Sequence, residues 1–343
     1  MKLSIWDVND KDWPTDGSDR DKLKFLVRYA ILAPSGHNTQ PWLFKLSGNT
    51  LELYADRTRC LPIVDPADRE LVISCGCALF FLKIAARKFG YRANINAFPD
   101  LSAQDLLAKI DIASAEPASS EELNIFNAIL MRHTNRHTFE ERSVSQEILN
   151  QLVVAANEEN SWLHIISEDT ERLAVADLIA QGDRTQASDK HFRRELSSWF
   201  HPNRSRNSEG MPGYAFGISD FASNLVPLIL RTFDWGNGQA AKDQQLALGS
   251  PVLAVLGCES DTPQSWLKTG EALANILLTS ASQDISASFL NQPIELENLR
   301  NQLKELLNTD GYPQILLRMG YGPEVTPTPR RGVDEVLINN ENG

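Results

Sequence analysis

The sequence lacks the features that mark membrane, secreted and nucleic-acid-binding proteins. No apolar run approaches the length needed to cross a bilayer, and Met1–Asp7 carries one lysine without the apolar block of a secretory signal. Acidic residues outnumber basic ones by 45 to 33, giving a net charge of −12. Such a surface repels nucleic acid and anionic membranes, so we expect neither as a partner. A few local arginines could still hold a phosphate group.

Cysteine is also scarce, with four in 343 residues. Cys75 and Cys77 are separated by one residue, which is not the usual spacing of a zinc-binding pair, and no second pair completes a site. We therefore expect buried, reduced thiols, no metal and a cytoplasmic location. The sequence contains no G-x-G-x-x-G, P-loop or G-x-S-x-G motif, so nothing supports a Rossmann, NTPase or hydrolase assignment.

The length favours two lobes, which we place at 1–125 and 126–343. Each half shows a helix, a turn, a strand and then a long amphipathic helix, at 75–90 and again at 269–281. Both long helices are expected to begin at a glycine and small residues, which let another helix approach closely. Two copies of one pattern suggest duplication of a single unit.

Further strands are predicted at 43–46, 162–166, 251–257 and 314–321, and Ser145 is a plausible N-cap for a helix. Between about 184 and 250 lies a polar segment, predicted to be irregular, with basic clusters and one apolar helix-like piece. Insertions of this length are often lids. A surface excursion that only extends the core is equally compatible with the sequence.

The stretch Ala33–Trp42, which reads A-P-S-G-H-N-T-Q-P-W, is the most informative part of the chain. Its proline ends a helical pattern, and the small polar turn that follows offers backbone N–H groups and short side chains. Such a turn can lie against a flat ligand with polar edges. Taken alone, the stretch is better explained as a plain helix-to-strand loop that ends in a core tryptophan.

Two basic segments are candidates for binding an anion. Arg132, Thr134 and Arg136 alternate along a segment that we expect to be extended, so their side chains would share one face. Near the C-terminus, prolines stiffen the connector that carries Arg330 and Arg331. A solvated basic patch is the simpler interpretation of the first segment alone, whereas for the second a plain basic loop and an anion site are equally compatible with the sequence.

Together these motifs resemble the nitroreductase-like, FMN-binding superfamily. S-x-H-N-T-Q-P-W, R-H-T-N-R-x-x-F and P-T-P-R-R occur in the order typical of its Acg-type branch, and the resemblance spans roughly residues 20 to 338. It implies an α/β (α+β) nitroreductase-type fold. Two similar lobes, each a mostly antiparallel sheet flanked by helices, would form an intrachain pseudo-dimer with one FMN between them.

The resemblance also implies roles for individual residues. Arg132 and Thr134 would contact the FMN phosphate, Arg136 would lie near the pyrimidine edge of the ring, and Arg330 or Arg331 would complete the phosphate pocket. A backbone N–H within Leu290, Asn291 and Gln292 would face flavin N5, although this chain lacks the glycine-rich lead and Glu-Gly pair of active relatives. The opposite wall would come from the first motif, through Pro34, Ser35, Gly36 and Asn38.

The resulting functional hypothesis is an FMN-dependent oxidoreductase that takes electrons from NAD(P)H and reduces a small, electron-poor molecule such as a nitroaromatic or a quinone. No side chain is expected to be catalytic in itself, because the flavin carries the redox chemistry. An FMN-storing protein with little turnover, and a binder of some other phosphate metabolite, remain alternatives. The chain would act as a monomeric pseudo-dimer or as a homodimer.

Overall fold

The computed structural model describes residues 5–338. Within this range the helices are α1 (Asp19–Ala30), α2 (Arg69–Lys88), α3 (Ser120–Asn127), α4 (Gln146–Glu158), α5 (Asp169–Ser188), α6 (Lys190–Trp199), α7 (Asp220–Ser223), α8 (Val226–Thr232), α9 (Gly236–Leu248), α10 (Pro263–Ala281), α11 (Gln292–Glu295), α12 (Glu297–Leu306) and α13 (Val333–Val336). The strands are β1 (Trp42–Ser47), β2 (Thr50–Ala55), β3 (Tyr91–Ala97), β4 (Leu106–Ser114), β5 (Trp162–Ile165), β6 (Phe200–His201), β7 (Met211–Pro212), β8 (Val252–Cys258), β9 (Ser286–Phe289) and β10 (Tyr312–Gly320).

Two four-stranded sheets form the framework, in the orders β1-β2-β4-β3 and β5-β8-β10-β9. Every pairing within them is antiparallel, for example Trp42 with Ala55 in the first sheet and Trp162 with Gly257 in the second. In each sheet the strands follow the same path, with a long helix, α2 or α10, between the second and third strands. The expected fold class, antiparallel sheets flanked by helices in two similar lobes, is confirmed.

Local sequence signals account for several of these elements. Ser18 and Asp21 form a reciprocal capping box at the start of α1, and the Ser145 side chain accepts a hydrogen bond from Ile148 N–H at the start of α4. β8 is buried at every position, as its unbroken apolar sequence predicts. The strands predicted from the sequence all occur, with ends that differ by one or two residues.

α2 and α10 cross at a pair of glycines. A Cβ on Gly270 would lie 2.7 Å from Gly76 Cα and would collide with the carbonyl oxygen of Ile73, while one on Gly76 would collide with the Leu267 carbonyl. The prediction that these glycines start the helices is wrong, because α2 begins at Arg69 and α10 at Pro263. The predicted purpose, close helix approach, is confirmed at the crossing point.

The two lobes share their core. One cluster of buried apolar side chains runs through α1, α2 and the first sheet into α10 and the second sheet. A second cluster lies on the other face of β8 and β10, under α5 and α12. The boundary predicted at 125/126 falls inside α3 and stays a prediction.

The segment 184–250 is mainly helical, so the prediction of an irregular insertion is wrong. It contains the end of α5 and all of α6 to α9, with the short parallel pair β6 and β7 between them. α9 packs along α5, and α6 packs against α8. No helix among residues 5–338 is both long and apolar enough to cross a membrane.

Candidate functional site

A cavity of about 640 Å³ lies where the two lobes and the 184–250 segment meet. This volume is within the usual range for small-molecule and cofactor sites. Segments far apart in the sequence contribute to its wall, including α2, the extended stretch after α3, β9 and α9. Of the residues predicted from the sequence, the following line it: Pro34, Ser35, Gly36, Thr134, Arg136, Leu290, Asn291 and Gln292.

The turn after Pro34 is held in an unusual backbone conformation. His37, Asn38 and Gln40 all have positive φ, between 49° and 56°, a region that non-glycine residues rarely adopt. Ser35 Oγ accepts a hydrogen bond from Gln40 N–H at 2.9 Å and so closes the turn. Strain of this kind persists only where surrounding contacts fix it, and it is commonest at binding sites.

The side chain of Asn38 fixes this turn to the rest of the molecule through hydrogen bonds. Its amide donates to the carbonyl oxygens of Gly210 at 2.9 Å and Pro329 at 3.1 Å, and its Oδ1 accepts from Arg330 Nη1 at 2.8 Å. Asn38 is buried and does not line the cavity. It therefore joins the first lobe, the insertion and the C-terminal segment at one point.

Arg132 is a buried cation without a matching anion. It is 5% exposed, its Nε has no hydrogen-bond partner, and no carboxylate among the described residues pairs with it. Burial lowers the pKa of its guanidinium to about 10. It lies beside Cys77, which lines the cavity. An isolated buried charge costs several kcal/mol, so this position favours binding of an anion.

Arg330 and Arg331 are adjacent in sequence but point to different places. Burial and the nearby Arg132 lower the pKa of Arg330 to about 9. Arg331 instead donates to the carbonyl oxygens of Gln40, at 2.9 Å, and Glu335, at 2.7 Å, and lies 3.6 Å from Asp56. Arg330 also donates to protein acceptors, among them Asn38 Oδ1, Thr328 Oγ1 and the Leu32 carbonyl oxygen. The two arginines differ in the charges around them: Arg331 faces Asp56, whereas Arg330 lies near Arg132 and has no carboxylate partner among the described residues.

A smaller, polar cavity of about 130 Å³ lies beside this arginine pair. It is lined by His133, Thr134, Tyr214 and Thr328, among others. Thr134 also lines the main cavity, and Thr328 Oγ1 accepts a hydrogen bond from Arg330 Nη1 at 2.6 Å. The hydroxyl-bearing side chains of Thr134, Tyr214 and Thr328 thus line this cavity, while Arg132 and Arg330 lie behind its wall and line neither cavity.

Arg136 lines the main cavity together with a second arginine that the sequence analysis missed. The Arg136 guanidinium lies 4.4 Å from the Phe216 ring centroid. Arg318 on β10 is 1% exposed, donates to His137 O at 3.0 Å and stacks on Phe139 at 4.4 Å. The sequence did contain a signal for Arg318, because this residue places a charge inside the apolar run Ile315–Met319. Arginine is rarely buried in a sheet unless it is paired.

The stretch after β9 contributes backbone as well as side chains. Leu290 N–H donates to Leu316 O at 3.0 Å, and Asn291 Oδ1 accepts from Leu316 N–H at 3.0 Å. No described protein atom accepts a hydrogen bond from the backbone N–H of Asn291 or Gln292. These two N–H groups, rather than that of Leu290, are available to a ligand.

Four carboxylates also line the cavity, and sequence reasoning identified none of them. They are carried by four separate helices: Glu70, Asp183, Asp243 and Glu295. Burial raises the pKa of Asp183 to about 7, with a further contribution from Asp243. Burial raises the pKa of Glu70, with repulsion from Glu295 adding to it, and burial also raises the pKa of Glu295, with repulsion from Asp65 and Asp183 adding to it. No local pattern could reveal this group, because only the packing of these helices assembles it.

The residues present fit a ligand with an anionic end and a planar, polar-edged body. Arg132 and Arg330 supply uncompensated positive charge, and Thr134 supplies a hydroxyl next to it. The free N–H groups of Asn291 and Gln292 and the guanidinium of Arg136 supply donors along the cavity wall. FMN has this combination of phosphate, polar ring edge and flat ring.

Comparisons with known proteins cover nearly the whole chain, although no family model matches it. An uncharacterized protein of Mycobacterium tuberculosis is 32% identical over 324 residues, which is 92% of each chain. In the same organism, a protein with the provisional name NAD(P)H nitroreductase Acg is 29% identical over 331 residues, covering 92% of this chain and 95% of its own.

Among solved structures, the chain is similar to the nitroreductase NfnB of Sphigopyxis sp. strain HMH, which is described as FMN- and NADPH-dependent. It is 18% identical, with a TM-score of 0.42, and covers 64% of this chain and 99% of its own. The assignment itself depends on the sequence relatives, whose similarity runs through both lobes. With 32% identity over 92% of both chains, and with Acg among its relatives, the chain belongs to the nitroreductase-like superfamily.

Proposed function

We propose that this protein is an FMN-dependent oxidoreductase that uses NAD(P)H to reduce a small, planar, electron-poor molecule such as a nitroaromatic or a quinone. The observation that carries the proposal is the buried pair Arg132 and Arg330, which lies beside a cavity of about 640 Å³ and has no carboxylate partner among residues 5–338. A cofactor phosphate would neutralise this pair. FMN would supply hydride transfer at its N5 when bound.

The phosphate end is assigned to Arg132, Arg330 and Thr134. Charged hydrogen bonds from guanidinium to phosphate are short and strong, and they are stronger in a buried site. Arg331 is assigned to positioning, because its bonds to Gln40 O and Glu335 O hold the segment that carries Arg330. Asn38 has the same kind of role through its bond with Arg330.

The ring is assigned to the main cavity. Arg136 would lie at the pyrimidine edge, where its charge stabilises a reduced, anionic ring. The N–H of Asn291 or Gln292 would donate to N5, since Leu316 O already accepts the N–H of Leu290. Pro34, Ser35 and Gly36 would form the opposite wall, with Gly36 keeping the space in front of Glu70 open.

The 184–250 segment is assigned the role of a cover. Apolar side chains from α6 and α8, including Phe192, Leu196, Ile229 and Leu230, line the cavity. Such a cover excludes water from the reacting atoms. Its presence supports the lid interpretation over a simple surface excursion.

The identical strand order of the two sheets supports an internal duplication. In this proposal the chain forms a pseudo-dimer in which lobe 126–343 supplies the arginines and lobe 1–125 supplies the Pro34 turn. One FMN per chain follows, because the first lobe has no equivalent of Arg132 and Arg136 ahead of its own turn. Monomeric and dimeric assemblies are both compatible with this arrangement.

The test begins with the FMN-loaded protein under anaerobic conditions. We expect NADH or NADPH to bleach the flavin absorbance, and a nitroaromatic or quinone to restore it in a separate step. Dithionite serves as the control for a reducible, intact flavin. A protein that stays colourless when FMN is added in excess contradicts the proposal at its first step.

The same experiment separates the storage function from the enzyme. A storing protein would bind FMN tightly and be bleached by dithionite but by neither nicotinamide donor. The missing Glu-Gly pair near Asn291 and Gln292 is the observation that keeps this second function in consideration.

A further inference from the structure

The cavity has an acidic wall opposite in charge to its arginine end. We use this name for Asp183 on α5, Asp243 on α9 and Gln292 at the start of α11. The Gln292 side-chain amide donates to Asp183 Oδ1 at 3.0 Å and to Asp243 Oδ2 at 2.8 Å. Both of its N–H groups are thereby used, so Gln292 holds the two carboxylates in place and neutralises neither.

Acceptor atoms on this wall remain without donors. Asp183 is 3% exposed, yet its Oδ2 has no hydrogen-bond partner among the described residues, and the Gln292 Oε1 has none either. Leaving a buried acceptor unsatisfied destabilises the protein, and the cost is larger for a charged group. The unpaired Asp183 oxygen therefore points to a missing donor.

Within residues 5–338, no hydrogen-bond donor reaches Asp183 Oδ2. The cations that act on the two carboxylates are Arg184 on Asp183, and Arg136, Lys242 and Arg318 on Asp243, and none of them forms an ion pair with either carboxylate. Arg318 is already bonded to the carbonyl oxygens of His137 and Asn135. A ligand group with N–H donors and positive charge would satisfy both needs of the acidic wall.

The neighbouring lining is suited to the rest of such a ligand. Phe192, Leu196 and Trp235 line the same cavity, and the Phe192 and Trp235 rings lie 6.4 Å apart. Aromatic and apolar walls favour a planar body and attract cations to their ring faces.

We propose that the acidic wall binds the positively charged group of the substrate, so that the protein acts on planar, electron-poor molecules that also carry a protonated amine or a similar cation. This inference rests on the proposed function and specifies its substrate class. Asp183 and Asp243 receive the cation, and Gln292 is a positioning residue that keeps their carboxylates adjacent.

The test compares three probes of one shape on the FMN-loaded protein: benzylamine as the cation, benzyl alcohol as the neutral molecule and benzoate as the anion. Calorimetric titration at pH 8 is suitable, because Asp183, with its pKa of about 7, is then largely ionised. We expect the cation to bind at least tenfold more tightly than the alcohol, and benzoate to bind more weakly than both.

Variants locate the effect. Asp183→Asn and Asp243→Asn should each reduce the preference for benzylamine several-fold and leave binding of the alcohol unchanged. Asp177→Asn is the matched control: this residue lies on α5 too, is exposed, and should leave the preference intact. Two wall variants keep the test decisive if one fails to fold.

The inference is overturned if the three probes bind equally, if none binds, or if Asp177→Asn abolishes the preference as completely as Asp183→Asn does. It is also overturned if Asp183→Asn weakens FMN binding instead, since the wall would then serve the cofactor. Turnover separates the two proposals: 4-nitrobenzylamine should be reduced with a higher kcat/KM than 4-nitrobenzyl alcohol. Cation binding without any NAD(P)H-driven reduction would contradict the enzyme function but leave the acidic wall as a cation site.

Discussion

Two buried side chains of this protein, those of Arg132 and Asp183, carry charges that the packing of the fold does not require. Arg132 and Asp183 are both nearly fully buried, and neither has an opposite charge bonded to it within the described chain. Each therefore makes the empty protein less stable than a neutral residue would. Such costs are typical of functional sites, where the missing partner is a ligand.

Replacing Arg132 by methionine should separate binding from folding. We expect Arg132→Met to weaken FMN binding by about 1.5–3 kcal/mol, the range for a lost charged hydrogen bond, while the thermal stability of the FMN-free protein stays equal or rises. Fluorescence titration of FMN and thermal melts of the apo-protein measure the two effects.

The matched control is Arg142→Met, which removes the same charge from an exposed position stacked on Tyr321. It should leave FMN affinity unchanged. If Arg132→Met lowers the melting temperature of the apo-protein but leaves FMN affinity unchanged, Arg132 is a structural residue and does not bind the phosphate.

Asp183 predicts an unusual dependence of stability on pH. Its pKa is 3.8 when exposed and about 7 in the folded protein, so the folded state binds the proton more tightly. Stability on this account falls as the pH rises from about 4 to 7, and the full penalty is present above 7. We expect Asp183→Asn to be more stable than the parent at pH 8, by roughly 2–4 kcal/mol, and nearly equal to it below about pH 4. Chemical denaturation at both pH values measures the difference; a variant that is less stable at pH 8 contradicts the burial argument.

At the scale of elements, the crossing of α2 and α10 sets the distance between the lobes. At Gly76 and Gly270 the two helices contact each other through backbone atoms. The contact therefore leaves no room for a larger side chain at either position. The crossing also fixes Ser74 and Cys77 of α2 and Leu273 of α10 in the cavity wall. Helix packing and site geometry are thus coupled through two small residues.

Gly270→Ala should destabilise the protein by about 1–3 kcal/mol or more, because the added methyl group overlaps a main-chain carbonyl. Gly238→Ala on α9 is the control, since its methyl group meets nothing within 4 Å, and the better helix propensity should stabilise slightly. Urea denaturation of the two variants should move in opposite directions. Equal stability of Gly270→Ala and the parent protein would mean that the helices do not cross this closely in solution.

At the scale of the whole molecule, the cofactor should tie the lobes together. Its proposed ligands come from both lobes and from the C-terminal segment, so FMN binds only the folded arrangement. At a concentration one hundred times its dissociation constant, FMN should add about 2.7 kcal/mol, which corresponds to a rise in Tm on the order of 5 °C. Riboflavin, which lacks the phosphate, should give a clearly smaller shift in the same thermal melt. Equal shifts with both compounds would remove the arginine pair from the site.

The sequence predicted the framework well because its signals are local. The run Pro251–Gly257 is apolar over the length of a strand, which predicts β8. Ser145 is a typical N-cap residue, and it caps α4. It also indicated the Pro34 turn, Thr134 and Arg136, which all line the cavity. It missed Arg318, and it described the 184–250 segment as irregular where the structure has helices.

What the sequence determined by itself is the kind of ligand to look for: short motifs place small polar and basic residues at fixed spacings, and the resemblance they carry is a property of the chain. Which of the arginines 330 and 331 faces Arg132 was decided only by the tertiary structure, because the fold places Arg331 within 3.6 Å of Asp56 and leaves Arg330 near Arg132 without a carboxylate partner among the described residues. The acidic wall was likewise decided by packing, since its residues are far apart along the chain and meet only where α5, α9 and α11 come together.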